Sequence, residues 1–460
     1  MTLGSFDRDR SLQALADTTF DVLVVGGGIT GAGVALDAAS RGLRTALVER
    51  DDFASGTSSK SSKLVHGGLR YLQNGDVRLV YEALRERQRL RRNAPHLVRL
   101  LPFLIPIFSK DGLINPKIAR ALGTAMWMYD LTGGARIGKL HKRLKRDEAV
   151  AHMPTLPEGR LAGGYLYYDA AADDARLTLT LARTAALGHG AVVANHTSVV
   201  GLLHDEQGRV RGATVEAETA DGPQRFDVAA RSVVNAAGVW SDDVRALDEG
   251  THPDTIRPAK GIHITVPWEK VRNDIAVVVP VPKDKRSVFV VPWLPTDDGG
   301  FRFTYIGTTD TDYDGPLDEP QCTPDDVAYL LGAINLAVRE PLETTDVLGT
   351  WAGLRPLVKA ATSGRTADLS RRHKVLVSDS GVVSVTGGKL TTYREMAEDT
   401  VDALVEGLEE LPRSAKRCRT RRLALLGADG APAGTAPHLA GRYGSESRVL
   451  SAMVEADPSL

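Results

Sequence analysis

Apolar and polar positions near the N-terminus fall into the pattern of an α/β unit. Residues 21–25 (DVLVV) form a short, almost continuous apolar run, the mark of a strand covered on both faces. The run passes directly into Gly26-Gly27-Gly28. The composition of residues 32–40 then favours a helix, and Arg41-Gly42 closes it because glycine tolerates the positive φ of a helix terminus. Residues 44–48 (RTALV) read as a second buried strand that ends on Glu49. Strand, turn, helix and strand together make a βαβ unit of roughly 30 residues, parallel by the right-handed crossover rule.

Further along, the Ser, Thr and Gly content of residues 55–62 predicts an extended polar loop. Residues 78–92 predict a basic helix that ends near Pro95, followed by a less regular region to about Pro157 that includes the basic stretch 136–146. Residues 176–189 predict a helix and 190–203 a strand. A short buried strand at 231–236 runs into Ala237-Gly238. Strand-like alternation recurs between His263 and Thr308, including 287–293, and suits a mixed-sheet substrate domain. A last apolar strand at 382–386 leads into Gly387-Gly388 and a helix at about 392–408. The Ala/Pro/Gly-rich stretch 427–437 predicts a linker with only a short helical remnant beyond it. There is no internal repeat.

Composition narrows the class. A chain of 460 residues, 42% hydrophobic and 25% charged, is that of an ordinary globular protein of two or three domains. A formal net charge of -1 gives no electrostatic argument for nucleic acid as a partner. Cys322 and Cys418 are far apart and lack metal-ligand spacing, so neither a disulfide framework nor a metal site is expected, and a reducing compartment is. No signal peptide is visible, and the apolar stretch 100–131 is broken by Lys110, Asp111, Lys117 and Arg120. Such a stretch can lie on a membrane surface but not cross one, which predicts an interior protein open to peripheral membrane contact.

The glycine turn carries the first chemistry. In Gly26-Gly27-Gly28-Ile29-Thr30-Gly31, Gly26 makes the tight turn, Gly28 admits a pyrophosphate against the backbone, and Gly31 lets helix and strand pack closely. The helix start beyond it offers free N–H groups and a positive dipole end to phosphates. Glu49, 18 residues after Gly31, is placed to accept ribose hydroxyl hydrogen bonds. The turn alone does not separate FAD from NAD. Further glycine turns after short strands, at Ala237-Gly238 and Gly387-Gly388, favour the longer flavin dinucleotide.

Residues 58–72 (SSKSSKLVHGGLRYL) resemble the FAD-dependent glycerol-3-phosphate dehydrogenase family. The resemblance continues through Lys260-Gly261-Ile262-His263, Ile306-Gly307-Thr308-Thr309-Asp310, Gly353-Leu354-Arg355-Pro356 and residues 387–393 (GGKLTTY), in the same order, and covers about residues 20–410. It implies a glutathione-reductase-like FAD-binding Rossmann domain in its amino-acid-oxidase-like variant, formed discontinuously by residues 18–95, 160–262 and 345–410. Residues 96–159 and 263–344 would form the substrate or cap domain. Family members continue beyond the equivalent of Leu460 with a helical domain, so 411–460 is expected to be a shortened version of it. The implied reaction is oxidation of sn-glycerol 3-phosphate to dihydroxyacetone phosphate, with hydride transfer to FAD and electrons passed to membrane quinone.

The resemblance also distributes roles. A phosphate dianion needs paired cations, preferably a bidentate arginine. Arg70 and Arg355 are expected to hold it, with Tyr71, Thr308 and Thr309 bordering the substrate and Lys389 nearer the flavin and the reacting carbon. Alcohol oxidation needs a proton acceptor, for which a neutral imidazole suits. His263 is the favoured base, with His66 close to flavin or substrate. Thr57, Ser58, Ser59, Ser61 and Lys63 are expected along the flavin, and with Ala237, Gly238, Gly388, Lys389, Leu390, Thr391 and Thr392 they complete its site. Arginines 85, 87, 89, 91 and 92, with Glu86 as the one acid among them, form a solvated face by default. Beside the apolar segment they could dock on an anionic membrane surface. The implied location is the cytoplasm, at the inner face of the cell membrane, with a homodimer as an open assembly state. An oxidase that reduces oxygen to peroxide, and a redox-inert FAD-binding protein, are the alternative readings.

Overall fold

The computed structural model describes residues 6–69, 76–108, 123–124, 126–131, 138–281, 286–359 and 372–459. Two sheets organise it. The first has six strands in the order Lys374–Val377, Val383–Thr386, Val233–Asn235, Val22–Val25, Thr45–Val48 and Val192–Ala194. Its neighbours run parallel except at the outer pair, Lys374–Val377 with Val383–Thr386. Val22–Val25 lies in the centre and all four side chains are buried, which is why its sequence shows no alternation. Helix Ile29–Ser40 packs on this sheet, with eleven of its twelve residues buried. Helices Asp174–Arg183 and Tyr393–Glu406 cover its other sides. Only Ala, Gly and Val fill such a crowded position without forcing the helices apart.

The second sheet has ten strands of mixed direction. Its backbone is the antiparallel pair Val98–Phe108 with Leu161–Ala172, continued through Ala276–Pro280, Ser287–Pro295 and Phe301–Gly307 to Ile256–Pro267. Gly349–Val358 pairs along ten residues of Ile256–Pro267. The region expected to be irregular after Pro95 therefore opens with an eleven-residue strand, and Phe103 through Phe108 are buried in it. The apolar run there fills the core of the sheet; it does not form a membrane-facing surface. Leu161–Ala172, all of Ile256–Pro267 and Gly349–Val358 belong to this large sheet, so the two sheets exchange chain more finely than cuts at 160, 262 and 345 describe. A third, three-stranded antiparallel sheet (Thr197–His204, Val210–Thr219, Gly222–Ala229) lies beside the first. Past the predicted linker stand two helices, Pro437–Tyr443 and Ser447–Ala456.

Candidate active site

The glycine turn stands at the carboxyl end of the central strand, where open parallel sheets bind ligands. Gly26 has φ +106°, and a Cβ there would lie 2.7 Å from the Ala236 carbonyl oxygen. A Cβ on Gly31 would come within 1.8 Å of the Gly26 oxygen, so helix and turn meet only without side chains. Gly28 sits at the helix N-cap and offers no side chain to it; instead the Ser58 hydroxyl accepts from the Ile29 N–H at 2.9 Å. Glu49 accepts from Gly27 N at 2.5 Å and from Asp51 N at 2.9 Å, which fixes its carboxylate at the mouth. Burial raises its pKa, against the opposing pull of those two backbone donors.

A cleft of about 380 Å³ runs from Gly26, Gly28 and Thr30 past Glu49 and Ser58 to Ala237-Gly238, and on to Gly387, Gly388, Lys389 and Leu390. Gly387 and Gly388 both take φ +78°, a conformation that an L side chain strains, and a Cβ on Gly388 would strike the Met396 sulfur at 2.3 Å. This turn carries Lys389 into the cleft. Beyond it, Leu390–Thr392 make a 3-10 turn that leads into helix Tyr393–Glu406. Both threonines are buried. Thr392 donates to the Lys389 carbonyl at 3.4 Å, and Thr391 bonds the backbone of His66, accepting from its N–H at 3.1 Å and donating to its carbonyl at 3.3 Å.

The polar loop 57–63 closes one side. Thr57 donates to the Leu354 carbonyl at 2.5 Å, Ser59 Oγ lies 3.4 Å from the Gly56 carbonyl, and Lys60 O approaches so near that only a glycine fits at 353. Asp174, fully buried, orders the rest: it pairs with Lys63 Nζ at 2.5 Å and accepts from Ser61 N at 3.0 Å and Ser61 Oγ at 2.6 Å. The sequence reading missed Asp174. Its signal was doubling: Asp173 already caps helix Asp174–Arg183 by accepting from Arg176 N, which leaves the second carboxylate for another task.

The large sheet supplies the facing wall. His263 pairs laterally with Gly307 on one strand and Trp351 on the other, and its ring stacks on Trp351 at 4.6 Å and 9°. Its Nε2 lies 2.9 Å from Ser62 Oγ. Gly261 leaves a notch for Arg355, whose guanidinium would meet a Cβ there at 2.6 Å. Arg355 pairs with Asp310 at 3.2 Å and donates to Thr308 Oγ1 at 3.3 Å and the Thr309 carbonyl at 3.1 Å. The Thr309 hydroxyl is taken by Ile262 N at 3.0 Å, so Thr309 faces its own strand and not the cleft. Lys260 is occupied structurally, its Nζ 2.7 Å from the Asp326 carboxylate that also caps helix Pro324–Ile334.

Two assignments change. His263 is 2% exposed, and burial, then Arg355, then Lys63 push its pKa down to about 3. An imidazole so placed stays neutral and accepts a proton poorly, which removes the reason for making it the base. His66 lies in the loop clamped to Thr391, half-buried, with its ring 6.0 Å from Phe289. The second change concerns the arginines of helix Val77–Asn93. Arg87 is fully buried against Asp169, Arg85 pairs with Glu395 at 3.1 Å, Arg89 pairs with Glu86, and Arg92 donates to the Arg421 carbonyl at 2.7 Å. That run is an internal tie, not a lipid-facing surface. Arg70 and Tyr71 lie outside the described residues.

A parallel sheet entered through a glycine turn, its cleft faced by a large mixed sheet with histidine, arginine and lysine near the mouth, defines a dinucleotide-dependent oxidoreductase. The chain belongs to the FAD dependent oxidoreductase family, whose model matches residues 21–394, and within it to the glycerol-3-phosphate dehydrogenases. It is 42% identical to glycerol-3-phosphate dehydrogenase 2 of Mycobacterium tuberculosis over 475 aligned residues, covering 100% of this chain and 77% of that protein. It is 44% identical to the glycerol-3-phosphate dehydrogenase of Mycobacterium leprae, over 93% of this chain and 70% of that one. The crystal structure of the glycerol-3-phosphate dehydrogenase from Bacillus halodurans, complexed with FAD, matches with a TM-score of 0.75 at 33% identity, covering 99% of this chain and 82% of that one. FAD is the cofactor of this family, and the steric cradle at Gly26, Gly28 and Gly31, the Glu49 carboxylate and the length of the cleft fit it.

Proposed function

We propose that this chain oxidises sn-glycerol 3-phosphate to dihydroxyacetone phosphate, with electrons passing through FAD to membrane quinone. Bound FAD supplies the hydride acceptor. The chain's own residues supply the rest. Arg355, fixed by Asp310 and the Thr308–Thr309 backbone, is held in the orientation a phosphate needs, and by resemblance Arg70 is its partner. Lys389 places a cation at the flavin end of the cleft. His66 takes the hydroxyl proton, since its loop borders the Lys389–Thr392 turn and His263 stays neutral beside two cations.

The observation that carries this reading is the convergence of Arg355 and Lys63 on one buried histidine, a concentration of positive charge suited to a dianion in a partly dehydrated pocket. An anaerobic titration with glycerol 3-phosphate, followed at the flavin absorbance band, tests it. Full bleaching by the phosphorylated substrate and none by glycerol is expected; a band that persists refutes the assignment. Reoxidation by a soluble quinone, with little peroxide formed in air, separates the quinone-linked enzyme from an oxidase.

Membrane association belongs to the same proposal, with a different surface from the arginine helix. No helix among the described residues is long and apolar enough to cross a membrane. Trp127 is 57% and Leu131 78% exposed, beside exposed Lys139, Leu140, Lys142 and Arg143, and His141 joins the two segments through Asp130 and Trp127. An aromatic and a leucine ringed by lysines match the interface of an anionic bilayer.

A further inference from the structure

Helix Val77–Asn93 carries two adjacent charged residues, Glu86 and Arg87, that are both buried and reach different parts of the active site. Burying charges costs several kcal/mol each unless their partners are well placed, so what they hold is informative. Arg87 pairs with Asp169 of strand Leu161–Ala172 and donates to the Tyr168 carbonyl at 2.9 Å. The Tyr129 hydroxyl lies 2.6 Å and 2.8 Å from the two Asp169 oxygens. Burial and then the Asp169 charge hold that phenol protonated. Arg87, Asp169 and Tyr129 converge on one backbone group: Gly67 N–H, 3.0 Å from Tyr129 Oη and 3.3 Å from Asp169 Oδ1. Gly67 follows His66. A Cβ there would meet Leu84 at 2.5 Å and the Tyr129 hydroxyl at 2.6 Å, so the loop is pressed against the helix and its neighbours with no side chain between.

One residue back, Glu86 holds Arg394 through two bonds, 2.6 Å and 3.0 Å. Arg394 is buried at the start of helix Tyr393–Glu406, just after the turn that carries Lys389, Thr391 and Thr392, and it also pairs with Glu398 at 2.6 Å. Thr391 in turn bonds both backbone groups of His66. The contacts form a closed circuit: His66 loop, Tyr129 and Asp169, Arg87, Glu86, Arg394, the Thr391 turn, and His66 again.

We infer that helix Val77–Asn93 is a crossbar, in which Glu86 and Arg87, with Tyr129 and Asp169, are positioning residues that set the His66 loop against the Lys389–Thr392 turn. None of the four touches substrate or reacting atoms. This rests on the proposed reaction only for why the spacing matters, since the loop and turn would bear the proton acceptor and the cation on either side of the reacting carbon. The spacing itself is a property of the fold.

The test is hydrogen exchange on the FAD-loaded protein, read in peptides covering residues 64–69, for Tyr129→Phe and Glu86→Gln. Tyr129→Phe removes the local bond to Gly67. Glu86→Gln weakens only the far arm of the circuit, and its effect on 64–69 is the readout that a purely local role would not move. Both variants are expected to exchange about tenfold faster in 64–69, the order of one lost buried hydrogen bond, while flavin content stays at wild type. Flavin reduction at saturating glycerol 3-phosphate should fall about tenfold or more with KM changed less than threefold, the split expected of misplacement. Exchange in 64–69 that is unchanged in Glu86→Gln overturns the crossbar. If Glu86→Gln does not retain flavin, Arg394→Lys carries the same comparison. If wild-type flavin is not reduced by glycerol 3-phosphate, the substrate reading fails, while the exchange arms still decide the crossbar.

Discussion

Replacing His263 by glutamine should make the protein more resistant to acid. The imidazole is 2% exposed, stacked on Trp351, and within the fields of Arg355 and Lys63, with its pKa pushed down to about 3 by burial first and the two cations after it. In the unfolded chain the same group titrates near 6.5. Below about pH 6.5 the unfolded state therefore takes up a proton that the folded state refuses until about pH 3, and stability falls as the solution is acidified across that window. Each pH unit in it is worth about 1.4 kcal/mol. Between pH 7.5 and pH 4.5 the loss assigned to His263 is then roughly 3 kcal/mol. Glutamine keeps a polar group for Ser62 but never titrates, so this loss should vanish even if the variant is less stable at pH 7.5. Urea unfolding of the FAD-loaded wild type and His263→Gln at both pH values, followed by tryptophan fluorescence, measures it. Equal acid-induced losses in the two proteins would refute the placement of a neutral, buried histidine. The kinetic counterpart follows: the acid limb of flavin reduction should survive in His263→Gln and disappear in His66→Gln.

Arg355→Lys should raise KM for glycerol 3-phosphate about 10–100-fold and leave flavin content unchanged, because a point charge cannot replace a fork held by Asp310 and the Thr309 carbonyl; steady-state kinetics and the flavin absorbance ratio check it. Glu49→Ala removes the acceptor for Gly27 N and the partner expected for a ribose, and should weaken FAD retention about tenfold or more in dialysis of the holoprotein. Trp127→Ala with Leu131→Ser should abolish most flotation with anionic liposomes at physiological salt, whereas Arg85→Gln, a residue engaged with Glu395, should not. Persistent flotation of the double variant would move the docking surface elsewhere.

The features legible in the sequence are those whose physical cause is local. Gly26, Gly28 and Gly31 are demanded by backbone approach within a few residues, and the structure places them as their spacing predicts. Lys260 and His263 were legible as parts of a family motif, but not in their roles. Lys260 depends on Asp326, 66 residues away, and His263 on Ser62 and Trp351 from a loop and another strand. The arginine helix shows the same limit from the other side. Its run of charges reads as a solvated face in one dimension, since the Glu86 partner lies 308 residues on at Arg394 and the Arg87 partner on strand Leu161–Ala172. What the run did carry was an imbalance: five arginines around one acid, on a helix that also holds apolar Leu79, Val80, Ala83, Leu84 and Leu90. A helix with an apolar face that broad must bury some of its charges too, and buried charges need remote partners. The polar residues that position the active site are therefore the ones a linear reading assigns to solvent, because only the folded chain supplies their counter-charges.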